Sequence, residues 1–369
     1  MVNEKAIICV KCGKKYPPFK NIFHCSECGG SLDIVYDYKK VRDSINKDFI
    51  KQPPNHWKYW MFYPVSPKKI ISMGEGGTPL VKSKVFENVW FKLEGLNPTG
   101  SFKDRGSTVE VSHAYQLGVK NVCCASTGNM GASVAAYCAR AGMRCKIFLS
   151  GSTSKNKVKQ IKSYGAEVHQ VDGNYNQALK MCEEFAMEKR WHLMGDYPYR
   201  GEGEKSVGFE IADQMGWESP SYILVPMGNG TLTYAIWDSF QEMESLELVH
   251  KIPRIVGFQS TGCSPIVNAF KKGWDDVKPI ENPYTVATAI ECGNPIDGKK
   301  ALIALKKSGG FAESVTDEEI LKAQLFLARE EGILVEPSSA ATVAGYMKLK
   351  DSFEGKVVCV LTGHGLKDL

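Results

Sequence analysis

Two hydrophobic patterns alternate along most of this chain. Short runs rich in β-branched and other apolar residues predict buried strands. These runs are Asn121–Ala125, Cys145–Leu149, Tyr222–Val225, Arg254–Phe258 and Lys356–Leu361. Longer amphipathic stretches between them predict helices, which cover Gly131–Ala141, Asn176–Lys189, Leu232–Glu242 and Asp317–Glu331. Strands that alternate with helices indicate an α/β fold with mostly parallel sheets.

The first 37 residues depart from this pattern and carry two Cys-x-x-Cys pairs. The cysteines are Cys9, Cys12, Cys25 and Cys28. Two such pairs supply the four thiolates that tetrahedral zinc prefers, and a segment this short needs a metal to fold stably. We therefore predict a zinc ribbon over residues 1–37 with a closed, structural site. A ribbon that holds no metal is the alternative.

Composition narrows the class of protein. The chain has 369 residues, of which 43% are hydrophobic and 24% charged, as in ordinary globular proteins. Its net charge of +5 is spread along the sequence and argues against nucleic-acid binding. No apolar run approaches the roughly 18 residues of a membrane span. Twelve cysteines without an export signal predict reduced thiols and a cytoplasmic location.

A lysine lies at a predicted helix start, in the segment 97–106. Ser101 is a plausible N-cap, which places Lys103 in the first helical turn. The positive end of a helix dipole lowers the pKa of an amine there, and a neutral amine attacks aldehydes. A solvated surface lysine is the alternative interpretation of this segment alone.

Three further motifs follow predicted strands, and the first two have the chemistry of anion sites. Ser126, Thr127 and Asn129 open a helix and suit a carboxylate, although such residues are also ordinary helix caps. The run Gly228, Asn229, Gly230 and Thr231 suits a phosphate. Thr362 ends the last strand, where α/β proteins bind ligands. With Lys103, these parts match the needs of a pyridoxal-phosphate (PLP) enzyme.

The same motifs resemble those of fold-type II PLP enzymes, and among them the threonine synthases. The segments that carry this resemblance are 74–80, 99–106, 126–129, 293–295, 336–341 and 362–368. It implies two open, twisted, mostly parallel sheets flanked by helices, as in the β subunit of tryptophan synthase. We expect a ribbon over 1–37, a large PLP-binding domain from 38–95 and 200–369, and a small α/β domain over 96–199.

The resemblance also implies a role for each motif. Lys103 would carry the cofactor as a Schiff base and act as the catalytic base, and Asn129 would bind the phenolic oxygen of PLP. The run from Gly228 to Thr231 would hold the phosphate of PLP, with Thr362 at its pyridine nitrogen. Ser126 and Thr127 would bind the carboxylate of the substrate. Arg200 would bind a phosphate on the substrate, for which a planar guanidinium is suited.

The implied reaction converts O-phosphohomoserine and water to threonine and phosphate. Met194-Gly195 and Met130-Gly131 stand where threonine synthases carry polar pairs near the substrate phosphate. Two alternatives therefore stay open: replacement at Cβ of O-phosphoserine, as in cysteate synthase, and dehydration of serine or threonine. The expected partner is a small amino acid, without nucleic acid or membrane, and the family favours a homodimer.

Overall fold

The computed structural model of the protein describes residues 3–20, 22–45 and 47–368. The strands are β1 (Glu4–Cys9), β2 (Lys15–Tyr16), β3 (Leu32–Tyr36), β4 (Leu80–Lys82), β5 (Val89–Leu93), β6 (Asn121–Ser126), β7 (Arg144–Leu149), β8 (Glu167–Gln170), β9 (His192–Met194), β10 (Tyr222–Pro226), β11 (Arg254–Ser260), β12 (Phe311–Val315) and β13 (Val357–Leu361). The helices are α1 (Tyr38–Ser44), α2 (Lys47–Lys51), α3 (Lys103–Gln116), α4 (Asn129–Ala141), α5 (Lys155–Ser163), α6 (Tyr175–Lys189), α7 (Pro198–Glu204), α8 (Ser206–Gln214), α9 (Thr231–Ser245), α10 (Pro265–Lys271), α11 (Gly298–Lys307), α12 (Asp317–Glu330) and α13 (Pro337–Leu349). Within these residues, no helix is both long enough and apolar enough to cross a membrane.

The strands form three sheets. One has six strands in the order β12-β11-β10-β13-β5-β4, and only the edge strand β4 is antiparallel to its neighbour. A second has four parallel strands in the order β8-β7-β6-β9. The third is the antiparallel β2-β1-β3 of the cysteine-rich segment. The prediction of two mostly parallel sheets flanked by helices is confirmed.

The central strands bury both faces, which explains their continuous apolar sequences. In β10, Ile223 and Val225 belong to the core on one side of the six-stranded sheet. Tyr222 and Leu224 belong to the core on the other side. This alternation follows from the two-residue period of a strand. Helices on both faces cover these cores and leave the strand ends accessible.

The two large sheets draw on different parts of the chain. All four strands of the four-stranded sheet fall within residues 96–199, and the six-stranded sheet uses strands from residues 38–95 and 200–369. The five predicted strands and four predicted helices begin and end within two residues of the predicted positions, except at the end of α9. The exact boundaries of the three domains stay a prediction.

Candidate active site

Strand ends from both large sheets meet at one cleft, which has a volume of about 720 Å³ including its open mouth. Thr127 follows β6, Asp196 follows β9, Gly228 follows β10 and Thr362 follows β13, and all four residues line the cleft. Lys103 lines it as well. The cleft therefore lies at the carboxyl ends of parallel strands, where α/β sheets bind ligands.

The start of α3 is fixed by pairing with the end of the chain. Ser101 forms an antiparallel bridge with Gly363, and the amide of Phe102 donates to the carbonyl of Thr362 at 3.0 Å. The predicted N-cap role of Ser101 is wrong, because this bridge fixes its backbone and Phe102 takes the N-cap position. Lys103 nevertheless lies in the first helical turn, as predicted, and it lies beside the Thr362 segment.

Two carboxylates contact the amine of Lys103. Its Nζ lies 3.3 Å from Asp196 Oδ1 and 3.3 Å from Glu204 Oε1. Burial lowers the pKa of Lys103, but Asp196 and Glu204 outweigh it and the pKa is raised overall. The expected lowering of this pKa is therefore wrong. Burial raises the pKa of Glu204 to about 7, whereas the pKa of Asp196 is lowered, since nearby cations overcome its burial.

The loop from Gly228 to Thr231 has the geometry of an anion site at the start of α9. Its four backbone amides have no acceptor within the described part of the chain. Gly230 has a φ of +92°, and a Cβ there would lie 2.9 Å from the carbonyl oxygen of Asp297. Glycine is required at this position for both reasons. The loop thus presents free amides at the positive end of a helix.

Asn229 connects this loop to two other segments. Its Nδ2 donates to Asp196 Oδ2 at 2.5 Å. Its Oδ1 accepts from the amide of Ile296 at 3.1 Å and from the thiol of Cys292 at 3.0 Å. The side chain of Asn229 therefore fixes the conformation of the loop, while the loop amides remain available.

Asn129 and Thr362 lie on the remaining walls of the cleft. Asn129 donates through Nδ2 to both oxygens of Glu336, at 2.8 and 2.9 Å. Its buried Oδ1 has no partner among the described residues. The hydroxyl of Thr362 is 3.0 Å from that of Ser339. Both side chains are thus held in place, and Asn129 keeps an unsatisfied acceptor.

Ser126 and Thr127 differ in how their hydroxyls are used. Ser126 Oγ accepts from the amides of Gly128 and Gly131, both at 2.8 Å, and so shapes the turn before α4. A hydroxyl that accepts twice can still donate once. Thr127 is half-buried in the wall of the cleft. The structure therefore brings the predicted carboxylate-binding pair to the same cleft as Lys103.

Arg200 is not in the wall of this cleft. Its fully buried guanidinium forms an ion pair with Glu110 and donates to Ser107 at 2.8 Å and to the carbonyl of Lys103 at 3.2 Å. Arg200 therefore supports the first turn of α3 from behind. Of the described residues that line the cleft, Lys103 is the one with a cationic side chain.

Asp196 and Glu204 did not emerge from the sequence analysis, and Glu336 entered it only as part of the segment 336–341, without a role of its own. Asp196 was recognisable in principle, since it follows a parallel strand just as Thr362 does. Glu204 lies within α7, at a position that no local pattern distinguishes, and Glu336 precedes α13. Their proximity to Lys103 and Asn129 depends on the folded chain.

The arrangement fits a cofactor that carries both an aldehyde and a phosphate. Lys103 offers an amine in the cleft, and the loop from Gly228 to Thr231 offers amides without acceptors. Asn129, whose buried Oδ1 has no partner among the described residues, lines the same cleft. A buried polar atom without a partner indicates a missing ligand or water. PLP meets each of these requirements.

The four cysteines of the N-terminal sheet form a cluster. Cys9, Cys12, Cys25 and Cys28 have their sulfur atoms within 4.8 Å of one another. Two sulfur pairs, Cys9–Cys28 and Cys12–Cys25, are 3.5 Å apart. Tetrahedral zinc with bonds of about 2.3 Å holds its sulfur ligands about 3.8 Å apart. The cluster therefore has approximately the dimensions of a zinc site.

Comparisons with known proteins agree with this geometry. A sequence profile of the family described as "Pyridoxal-phosphate dependent enzyme" matches residues 71–363. Threonine synthase of Methanocaldococcus jannaschii is 46% identical to this chain over an alignment of 374 residues. The alignment covers 98% of this chain and 92% of the relative. Threonine synthase of Methanosarcina acetivorans is 45% identical over 98% of this chain and 91% of the relative.

Solved structures show the same fold at lower identity. The serine racemase of maize superposes with a TM-score of 0.69 at 20% identity, over 78% of this chain and 88% of the other. The L-serine ammonia-lyase of Rhizomucor miehei gives a TM-score of 0.70 at 20% identity, over 78% of this chain and 93% of the other. At this level of identity the likeness establishes the fold alone.

Proposed function

Because the chain belongs to the PLP-dependent enzymes and, among them, to the threonine synthase family, we propose that it forms threonine and phosphate from O-phosphohomoserine and water. It is a PLP-dependent lyase of amino-acid biosynthesis. The observation that carries this function is the 46% identity to a threonine synthase over 98% of the chain. The cleft agrees with this function, because Lys103 and the loop from Gly228 to Thr231 line the same cleft.

PLP would be held at three points of the cleft. Lys103 would bind it covalently, the amides from Gly228 to Thr231 would bind its phosphate, and Asn129 and Thr362 would contact its ring. When bound, PLP withdraws electrons from the bonds at Cα of an amino acid. Thr362 presents a neutral hydroxyl, which does not enforce protonation of the ring nitrogen as a carboxylate would. Such a setting favours elimination and replacement over transamination.

Lys103 would transfer the proton at Cα of the substrate, and Asp196 would assist it. The amine of Lys103 takes the proton from Cα of the substrate, and its Nζ becomes an ammonium group. Asp196 Oδ1, 3.3 Å from Nζ, stabilises that positive charge. Asn229 keeps the carboxylate in place through its other oxygen. Asp196 therefore helps Lys103 to hold the proton until it is returned to the substrate.

Ser126 and Thr127 would bind the carboxylate of the substrate at the start of α4, where helix amides favour an anion. Arg200, proposed to bind the substrate phosphate, donates in this structure to Ser107 and to the carbonyl of Lys103, and pairs with Glu110. Its guanidinium is fully buried and its Nε has no partner among the described residues, so contact with a substrate requires a rearrangement around Arg200. We further propose a homodimer, as the family resemblance favours, and a cytoplasmic location, as the twelve unpaired cysteines favour.

One observation favours a second candidate, the dehydration of serine or threonine. The charged side chains that line the cleft are Lys103 and the carboxylates Asp196, Glu291 and Glu336. A cleft with so little positive charge suits a substrate without phosphate. The 46% identity to a threonine synthase outweighs this observation, because the solved L-serine ammonia-lyase is only 20% identical to this chain.

A product assay separates these reactions. With O-phosphohomoserine we expect threonine and phosphate in equal amounts, and with ¹⁸O-labelled water we expect the label in the hydroxyl of threonine. Parallel reactions with O-phosphoserine plus sulfite, and with serine or threonine alone, serve as comparisons. Phosphate release without threonine would contradict the proposal, and ammonia from serine or threonine as the main product would establish the dehydratase.

We also propose that Cys9, Cys12, Cys25 and Cys28 hold one structural zinc ion. Tyr16 supports this, since its hydroxyl donates to Cys25 Sγ at 3.2 Å and favours the thiolate. All four ligands come from the protein, so the site would be closed and have no catalytic water.

Elemental analysis of the purified protein should find one zinc per chain, and Cys12→Ser should lower this content. Cys359→Ser, which changes a buried cysteine of β13 outside the cluster, is the control and should leave the content unchanged. Metal-free protein with four reactive thiols in the ribbon would refute the zinc site.

A further inference from the structure

The N-terminal ribbon contacts residues that support the phosphate-binding loop. Here the ribbon means β1 to β3 with its four cysteines, and the phosphate loop means Gly228 to Thr231. Two ribbon side chains, Ser31 and Asp33, reach residues that hold this loop. Neither residue lines the cleft itself.

Ser31 reaches the loop through one intermediate residue. Its hydroxyl donates to the carbonyl of Ile296 at 2.8 Å. The amide of Ile296 donates to Asn229 Oδ1 at 3.1 Å, and the amide of Asp297 donates to the carbonyl of Asn229, also at 3.1 Å. Burial raises the pKa of Asp297, and the nearby ammonium group of Lys300 opposes that rise. Ser31 thus supports the segment against which the loop is folded.

Asp33 makes a second connection, to the helix that follows the loop. Its Oδ2 accepts from the hydroxyl of Tyr234 at 2.6 Å, and its Oδ1 is 3.1 Å from Lys300 Nζ. Tyr234 lies in the first turn of α9, and Lys300 lies in the first turn of α11. The side chains of Asp33 and Lys300 are only 18% and 6% exposed, so solvent screens this pair weakly.

The cysteine cluster determines where Ser31 lies. The carbonyl of Ser31 accepts from the amide of Val10, which lies between the first two cysteines. Ser31 also comes three residues after Cys28 in the sequence. Both cysteine pairs therefore constrain its backbone.

From these contacts we infer that Ser31 and Asp33 are positioning residues for the binding of the PLP phosphate, so that an intact ribbon tightens cofactor binding. The inference rests on the proposed function, in which the loop from Gly228 to Thr231 binds that phosphate. The ribbon thereby gains a role beyond its own stability, although Ser31 and Asp33 contribute no atom to the cleft.

The test compares variants of the full-length holoenzyme. PLP loss on dilution is followed by fluorescence, and the environment of the bound phosphate is followed by its ³¹P NMR shift. Ser31→Ala and Asp33→Asn should each raise the dissociation constant of PLP about 3- to 10-fold, the range expected when a hydrogen bond is lost, and should move the ³¹P resonance. Lys11→Ala is the control, because Lys11 joins the ribbon to Asp276 through an exposed ion pair that includes no residue of the loop. Far-UV circular dichroism checks that each variant folds.

Each outcome either supports or overturns the inference. The inference is supported if Ser31→Ala and Asp33→Asn both bind PLP more weakly and both move the ³¹P resonance, while Lys11→Ala changes neither. Unchanged binding in both variants, or equal weakening in all three, overturns it. Gly230→Ala is included to separate the two proposals: if it too leaves the ³¹P shift unchanged, the proposed phosphate site fails and the inference fails with it, whereas an effect of Gly230→Ala alone refutes only the role of the ribbon.

Discussion

Replacement of Lys103 by alanine is expected to abolish turnover, with kcat falling by at least about 10⁴-fold, because one side chain supplies both the covalent bond to PLP and the base at Cα. The fold should survive the change. Loss of the cation leaves Asp196 and Glu204 without their shared partner, but Glu204, with a pKa of about 7, takes up a proton readily. Steady-state turnover and the visible absorbance of the bound cofactor measure the effect.

Mass spectrometry completes this test. Borohydride treatment of the native enzyme should fix PLP to the peptide that contains Lys103, and the alanine variant should carry no adduct. Lys159→Ala changes an exposed lysine of α5 and should behave like the native enzyme. An adduct on another lysine, or full turnover by the Lys103 variant, would remove the basis for every role assigned to the cleft.

Replacement of Asp196 by asparagine is expected to lower kcat about 10²-fold, at the lower end of the range for general acid–base catalysis. Asparagine keeps the size of the side chain and an acceptor for Asn229, but it removes the negative charge 3.3 Å from Lys103 Nζ. Without that charge the pKa of Lys103 falls. The acidic limb of the pH–kcat profile should therefore move to lower pH, while KM changes little.

Exchange of the substrate α-proton with deuterium, followed by NMR, distinguishes a role in proton transfer from a structural role. We expect Asp196→Asn to slow this exchange in proportion to kcat. Glu204→Gln is the matched control, since Glu204 also lies 3.3 Å from Nζ but has a raised pKa and does not line the cleft. Its effect should stay below about tenfold. Normal exchange in Asp196→Asn would contradict the proposed role of Asp196.

The sequence by itself determined five of the buried strands, four of the long helices and the position of the main motifs. Each of these depends on residues close together in the chain. A continuous apolar run predicts β10, a lysine follows the turn-forming segment 97–100, and two Cys-x-x-Cys pairs supply four thiols. These features can be predicted without knowledge of the fold, because the residues that form each of them lie close together in the sequence.

Only the tertiary structure decided the electrostatics around Lys103 and the orientation of Arg200. The local field of a helix start predicts a lowered pKa, but carboxylates 93 and 101 residues away reverse the direction. The family resemblance implies that Arg200 binds a phosphate on the substrate. In the structure, however, Glu110, 90 residues away, forms an ion pair with its guanidinium. Charges interact through space, so the pKa of Lys103 and the orientation of Arg200 depend on which strand ends lie together in the fold. The order of residues along the chain does not determine which strand ends these are.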